Sequence, residues 1–274
     1  MENYNYNSQV VARNSHNNIV GFATNRLRQY ENVILGNDDD VDDVIKNNVA
    51  MYKELNSNPI EIFNSLAIEL QTNKIAQKAT HNHIKDWIMT ALRYDCKFGS
   101  NNKMLHILEF TGQLMLYFGY EAYQAVAERI LNSRIVIDLY TYNEMKDYYK
   151  YHLKDEDRHE KAWVLPQEIP VACRNKNIAT AYDIFGFRID QIHNAGGSHK
   201  GWKKTTFKHR TDYMHDKYIE STKNEPMWQK WTVEMAKKRI LIQYVKEQVG
   251  LKDNRFLEMM NFELSQEKNV GLAN

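Results

Sequence analysis

The chain has 274 residues, of which 43% are hydrophobic, and its 36 basic and 35 acidic side chains leave a formal net charge of +1. This length can bury a substantial core and no apolar run approaches the roughly 20 residues of a membrane span, so the composition predicts one soluble globular protein and excludes an integral membrane protein. The polar amino terminus lacks the layout of a signal peptide, and the isolated Cys96 and Cys173 exclude a disulfide framework, so we expect a cytoplasmic protein with reduced thiols.

Charge is distributed unevenly along the chain. Acidic residues outnumber basic ones two to one over residues 1–70, and an acidic run occupies residues 38–43. Residues 1–45 are also rich in Asn, which is typical of a mobile arm or of a solvated loop between short helices, and we expect this arm to serve oligomerisation. Residues 188–217 hold seven basic side chains against three acidic ones, a charge balance that suits a phosphate-binding surface.

Two amphipathic helices are predicted first. Asn58 suits the cap of the first helix and Pro59 its first helical position, and apolar residues then recur on one face. The second helix begins near His83 and buries a stripe of aliphatic residues and a tryptophan. His81 and His83 diverge at this helix start and no further ligand motif accompanies them, so we interpret them as polar residues of the helix start and not as metal ligands.

A change from helical to strand-like periodicity at Met104 predicts a β-hairpin. The predicted elements are a strand over 105–110, a turn over 111–113, a strand over 114–117, a turn at Gly119, a short helix over 123–130 and a strand over 134–140. The stretch 141–168 is charged and rich in tyrosine, and we assign it no element.

The rest of the core alternates strands and helices. The predicted elements are a strand over 178–189 with a bulge at Gly186, a strand over 201–208, a helix near Thr211 and a long helix over 226–251. Residues 169–172 contain Pro170 and are at most an edge strand. Helices that flank one mainly antiparallel sheet make an α+β fold. We expect an N-terminal arm at 1–45, a core at 46–252 and a short C-terminal tail at 253–274.

The long helix over 226–251 is the most informative single element. Its apolar residues fall on two opposed stripes, which indicates a helix packed between two layers. Trp228 and Trp231 continue one stripe, so we assign them to packing. The basic triplet Lys237, Lys238 and Arg239 at its middle either decorates solvated edges or contacts a polyanion.

Three segments share a pattern with a known protein family. The segment 228–240, WQKWTVEMAKKRI, combines tryptophans, Glu-Met-Ala-Lys-Lys and an aliphatic continuation. The segment 112–129, GQLMLYFGYEAYQAVAER, combines a strand, a Gly-Tyr turn and a helix, and an aliphatic helix over 84–94 precedes it. In order and spacing these segments resemble the RecT family of phage single-strand annealing proteins. The resemblance spans residues 58–251 and implies a RecT/Redβ-like annealing core with a β-hairpin flanked by helices.

The resemblance also implies a function. A protein of this kind binds single-stranded DNA, pairs it with a complementary strand and holds the annealed duplex without ATP. The implied partners are further copies of the chain in a ring or helical filament, a phage 5′ to 3′ exonuclease and, for some members, the host single-strand binding protein. We expect no cofactor, metal, membrane contact or catalytic residue, and the loop 196–201 lacks the Gly-Lys-Ser/Thr of a phosphate-binding P-loop.

Candidate DNA contacts rest on three arguments. The resemblance assigns Arg129 and the pair Lys237 and Lys238, although Glu121 stands where many relatives have a basic residue. The planar guanidinium suits phosphate and adds Arg134, yet both arginines are equally compatible with ordinary surface positions. Charge adds Arg188, Lys200, Lys203, Lys204, Lys208, Arg210 and Lys230, and possible base stacking adds Tyr120 and Tyr123.

Two other functions fit the same sequence. A phage single-stranded DNA-binding protein would share the basic groove and the stacking residues but would protect strands from pairing. A structural assembly protein would associate through its acidic arm and bind no DNA. A strand-annealing assay and the loss or retention of DNA binding separate these alternatives.

Overall fold

The computed structural model describes residues 59–99, 104–152, 174, 177–194, 201–249 and 254–269. These residues form a mixed structure of helices and small antiparallel sheets, so the α+β prediction is confirmed. The chain divides into two compact units. Unit 1 holds the described residues up to Ala122 and from Glu258, and unit 2 holds those from Tyr123 to Leu257. The predicted arm at 1–45, the possible edge strand at 169–172, Cys173 and Lys200 lie outside the described residues.

Among its described residues, unit 1 contains two complete helices and a hairpin. Its elements are α1 (Pro59–Thr72), a 3-10 turn (Ala76–Lys78), α2 (His81–Tyr94), β1 (Leu105–Phe110) and β2 (Gln113–Phe118). The Thr80 hydroxyl accepts from the backbone N–H of His83, and His83 Nδ1 accepts from the Thr80 N–H at 3.1 Å. This reciprocal cap fixes the start of α2 and confirms the interpretation of His83 as a residue of the helix start.

The hairpin of unit 1 turns in two residues. Thr111 and Gly112 both have positive φ, 50° and 81°, and Phe110 lies directly opposite Gln113. Two consecutive positive φ angles match the right-handed twist of the strands, and glycine accepts the second without strain. The predicted hairpin is confirmed, with Gln113 in the strand and not in the turn.

Unit 2 contains the larger sheet. The elements from here on are α3 (Tyr120–Ile130), β3 (Ser133–Thr141), α4 (Tyr142–His152), β4 (Ile184–His193), β5 (Lys203–His209), α5 (Arg210–Tyr213), α6 (Asp216–Thr222), α7 (Pro226–Lys230), α8 (Thr232–Val249) and α9 (Asn254–Asn269). By the division above, α3 begins in unit 1 and α9 ends in it. The strand order is β3-β4-β5 and all pairs are antiparallel.

The two faces of this sheet have different surroundings. On one face the Tyr244 hydroxyl of α8 donates to Gln191 Oε1 at 2.8 Å, so α8 covers this face. On the other face α4 covers one end, through a cluster that contains Tyr140, Met145 and Phe185. The predicted bulge is confirmed beside Gly186, because Phe185 is the extra residue in the pairing of β4 with β3.

The structure corrects four predictions. The described strands form two sheets and not one. The long helix is interrupted at Trp231, whose φ and ψ of −132° and 48° separate α7 from α8. The Thr232 hydroxyl donates to the Trp228 carbonyl at 2.7 Å, the carbonyl that the Thr232 N–H would occupy in a continuous helix. Helix α4 occupies the start of the unassigned stretch, and the expected C-terminal tail contains α9, whose Phe256 and Met259 are buried.

No helix in the described ranges combines the length and the apolar character that a bilayer crossing requires.

Candidate nucleic-acid interface

Strand alternation separates the lysines of β5. Lys203 lies on the face that also carries Arg134 of β3 and Arg188 of β4, whereas Lys204 and Lys208 lie on the face that α8 covers. Successive side chains of a strand point to opposite faces. The basic residues of the sheet that were predicted to contact DNA are therefore divided between its two faces.

One row of the sheet carries two of the predicted contacts. Arg134 lies opposite Ile192, and Ile192 lies opposite Lys203, so the three residues are neighbours across the sheet. Two interstrand spacings place the Cα atoms of Arg134 and Lys203 roughly 10 Å apart. Both side chains are exposed, which leaves their charges open to a ligand on this face.

A buried carboxylate organises the cations of this face. Asp190 Oδ2 lies 3.2 Å from Arg188 Nε and 3.0 Å from Lys203 Nζ, and Asp190 Oδ1 accepts from the Thr205 hydroxyl at 2.8 Å. Asp138, opposite Arg188 in the pairing, adds a second carboxylate to the face. Arg188 and Lys203 are therefore held in place by Asp190, while Arg134 leaves this face with one positive charge in excess of the two carboxylates.

An exposed tryptophan precedes these lysines. Gly201, with φ of +79°, and Trp202 both lie opposite His193: the Gly201 N–H donates to the His193 carbonyl at 3.0 Å, and the His193 N–H donates to the Trp202 carbonyl at 2.9 Å. This glycine bulge fixes the backbone at the start of β5. The side chain of Trp202 is 64% exposed. We refer to Arg134, Trp202, Lys203 and Lys204 as the sheet-end cluster.

Sequence reasoning did not identify Trp202 as a contact residue. The available signal was its position between a glycine-rich loop and two consecutive lysines. Such an aromatic residue has little apolar neighbourhood along the chain to pack against, which distinguishes it from Trp228. The structure buries Trp228, as predicted.

Lys204 and Lys208 are bonded to α8. Lys204 Nζ donates to Gln248 Oε1 at 2.9 Å, and Lys208 Nζ lies 3.7 Å from Glu247 Oε2. Glu247 also accepts from the Tyr213 hydroxyl at 2.8 Å; burial and this hydrogen bond raise the pKa of Tyr213 above its usual range. Lys208 therefore belongs to a network that joins β5, α5 and α8, while Lys204 remains exposed at the sheet end.

Arg210 is an interior residue and not a surface contact. Its Nη1 lies 2.7 Å from Asp216 Oδ1 and donates to the Met214 carbonyl at 3.2 Å, and only 6% of the residue is exposed. The ion pair with Asp216 neutralises the guanidinium and links α5 to α6. The prediction that Arg210 contacts phosphate is therefore wrong for this structure.

The motif residues Lys238 and Tyr123 pack against each other. Lys238 Nζ lies 4.7 Å from the centre of the Tyr123 ring, Lys238 is 6% exposed and Tyr123 is completely buried. Phe256 meets the Tyr123 ring edge-on, with the centroids 5.3 Å apart. A base cannot stack on Tyr123, and Lys238 cannot reach a phosphate, so these two predictions are wrong. Tyr120 is also buried.

The other predicted contacts lie apart from the sheet-end cluster along the chain. Arg129 is exposed in the last turn of α3, where its Nε donates to the Ala125 carbonyl at 3.2 Å. Lys230 is exposed at the end of α7, with its Nζ 4.5 Å from the centre of the Trp231 ring. Lys237 is half-buried on α8. Of the predicted set, the structure brings Arg134, Lys203 and Lys204 to one end of the sheet, and Arg188 lies two same-face rows away, beyond Asp190.

One tyrosine hydroxyl lies on the same face. Burial raises the pKa of Tyr140 to about 12, and the nearby Arg188 opposes this rise. The hydroxyl is therefore neutral at physiological pH and adds no negative charge to the face.

Across the described ranges, no group of three or more His, Cys, Asp or Glu side chains is arranged to hold a metal ion.

A scan against protein-family models and a search of curated proteins find no match to this chain.

Proposed function

We propose that this protein binds single-stranded DNA and anneals complementary strands without ATP. The sheet-end cluster is the observation that supports this proposal: two exposed cations in one row of a sheet face, a third at the same end of the sheet on the opposite face, and an exposed tryptophan. A phosphate backbone requires the cations, and unpaired bases offer flat faces to an exposed ring.

The geometry suits a protein that binds single-stranded DNA without sequence preference. Contacts with phosphates fix the path of the strand and leave the base edges free to test a complement. Asp190 holds Arg188 and Lys203 in position, which reduces the side-chain entropy lost when a phosphate binds. We expect the binding to depend strongly on salt and weakly on sequence.

The resemblance to RecT proteins adds the remaining parts of the proposal. In this view the chain has a RecT/Redβ-like core and works in the cytoplasm of a bacterial host, as a ring or helical filament. Its partners are a phage 5′ to 3′ exonuclease and the host single-strand binding protein. These parts rest on the motif segments alone.

Binding of a labelled oligonucleotide by fluorescence anisotropy at several salt concentrations tests the proposal. Replacing Arg134, Lys203 and Lys204 together with Ala should weaken binding and reduce the slope of log K against log salt by about 0.7 for each phosphate that is no longer neutralised. Lys223→Ala is the matched control, because Lys223 is an exposed cation of unit 2 whose ion pair is with Glu220. Lysines on an edge strand can also serve only to prevent strand pairing. In that case the triple variant aggregates and its monomeric fraction binds with unchanged affinity, which contradicts the proposal.

The same assay tests Trp202. Trp202→Ala should lose about 1–3 kcal/mol of binding free energy with no change in salt slope, since stacking is not ionic, and Trp202→Phe should retain most of the affinity.

A strand-annealing assay with complementary oligonucleotides then distinguishes annealing from protection. A protein that binds single strands and slows their pairing has the alternative function of a protecting single-strand binding protein.

A further inference from the structure

The side of α8 that faces away from the sheet carries a second group of cations. Tyr244 marks the sheet side, through its hydrogen bond to Gln191. Arg239 and Lys246 lie five residues before and two residues after Tyr244, which places them roughly 140° to 160° away around the helix at about 100° per residue. Gln243 lies between them in the sequence and about 40° around the helix from Arg239. Helix α8 and the sheet itself therefore separate this stripe from the outer sheet face that carries Arg134 and Lys203.

Among the described residues, the neighbours that hold Arg239 in place are uncharged. Its guanidinium carbon lies 4.5 Å from the centre of the Tyr218 ring of α6. With its amide oxygen turned toward Arg239, Gln243 accepts from Nη1 at 3.2 Å and Nη2 at 3.0 Å. Arg239 Nε is buried without a hydrogen-bond partner. Both neighbours orient the guanidinium, and neither carries the negative charge that would balance it.

Lys246 is half-buried two helical turns from Arg239. Among the described residues, no carboxylate lies within ion-pair distance of Lys246 or Arg239. The nearby acidic groups are bonded elsewhere: Glu247 to Tyr213 and Lys208, Asp216 to Arg210, and Glu220 to Lys223 and Tyr182. Burial, and then the like charge of Arg239, lower the pKa of Lys246. Two partly buried cations thus share one stripe of α8, roughly 10 Å apart along the helix axis.

We propose that Arg239, Gln243 and Lys246 form a second phosphate-binding site. A phosphate offers acceptors to the donors of both cations and brings the negative charge that the stripe lacks. A site of this chemistry takes either a phosphate of a nucleic-acid backbone or a free phosphate compound. The first alternative, which we call the backbone reading, rests on the proposed function. In it, the phosphate belongs to DNA and the protein contacts DNA on both sides of α8.

Anisotropy with a single-stranded oligonucleotide tests the backbone reading. The double variant Arg239→Gln, Lys246→Gln should reduce the salt slope by about 1.4, which is two phosphates at about 0.7 each, while the Lys223→Gln control leaves the slope unchanged. Lys246→Arg keeps the charge and should retain the slope. If removal of the Arg239–Tyr218 contact unfolds the double variant, Lys246→Gln alone carries the test with a decrease of about 0.7.

Thermal unfolding in sodium pyrophosphate against sodium chloride at equal ionic strength tests the site without DNA. Pyrophosphate should raise the Tm of the unaltered protein and raise that of the double variant less. This result together with an unchanged salt slope supports a site for free phosphate and overturns the backbone reading. An unchanged slope and equal Tm shifts in both proteins overturn the site itself. A protein that binds no DNA contradicts the proposed function, and the pyrophosphate result then decides the second site alone.

Discussion

Two adjacent lysines of α8 have opposite environments. Lys238 is buried with its ammonium over the ring of Tyr123, whereas Lys237 is half-buried on the neighbouring side of the helix. Residues one apart on a helix differ by about 100° in direction, so both cannot face the same neighbour. Because Tyr123 belongs to α3 and Lys238 to α8, their contact joins the two segments that carry the family resemblance.

Replacing each lysine separately should reveal this difference. Lys238→Ala removes both a cation–π contact and a packed alkyl stem, and should lower the free energy of unfolding by about 1–2 kcal/mol. Lys237→Ala should change it by less than about 0.5 kcal/mol. Urea denaturation of the two variants measures both values. Equal decreases in the two variants would show that Lys238 is not a packing residue.

The residue scale is also where the sequence predicts least about the site. The charge of residues 188–217 predicts a basic surface, and the structure places Lys203 and Lys204 of this stretch at the same end of the sheet as Arg134. The ion pair of Arg210 with Asp216 depends on how α5 packs against α6. No one-dimensional pattern contains that information, so burial could not be predicted for Arg210.

At the scale of elements, α3 protects an edge of the three-stranded sheet. The Ile135 N–H on the outer side of β3 donates to Glu128 Oε1 at 2.8 Å, and the Ile135 carbonyl accepts from Gln124 Nε2 at 2.7 Å. Gln124 Nε2 also donates to Glu128 Oε1 at 3.1 Å. Side chains of a helix thus supply the partners that a further strand would supply, and they close this edge to pairing.

Removing the acceptor should destabilise unit 2. Glu128→Ala leaves the Ile135 N–H without a partner and should cost about 1–3 kcal/mol of unfolding free energy. Glu128→Gln keeps an acceptor oxygen and should cost much less. Amide hydrogen exchange resolves the effect at the residue, because the Ile135 N–H should exchange faster in Glu128→Ala than in Glu128→Gln. Equal exchange in both variants would mean that Glu128 does not protect the edge.

The local sequence pattern predicts most of the helices and strands, but not where a helix is interrupted or where the next one begins. The hairpin, the strand β3 and the bulge beside Gly186 follow from alternation and turn residues that interact over short distances. The break at Trp231 depends on one hydroxyl that replaces a backbone donor, and continuous helical periodicity on both sides conceals it. Helix α9 begins after residues 250–253, which include Gly250 and Asp253, so a core that ends at residue 252 was a natural prediction.

At the scale of the whole molecule, the response to alkaline pH is set by buried tyrosines. Burial raises the pKa of Tyr140 to about 12, and burial raises the pKa of Tyr213 and Tyr244 as well. All three are neutral when protonated and belong to unit 2. An unfolded tyrosine ionises near pH 10. The stability that these groups contribute is therefore fully present below pH 10 and is lost as the pH rises through the folded-state pKa values.

Above pH 10 the unfolded chain releases tyrosine protons that the folded chain retains, so the free energy of unfolding should fall between pH 10 and about 12. Each retained proton contributes up to about 1.4 kcal/mol per pH unit. Urea denaturation at a series of alkaline pH values measures the slope, and tyrosinate absorbance reports the ionisation directly. Tyr140→Phe removes one titrating hydroxyl and should give a shallower decline over the same range, with the titration of lysines unchanged. The same slope in both proteins would mean that Tyr140 ionises in the folded chain as readily as in the unfolded one, and that the sheet face beside Arg188 is open to water.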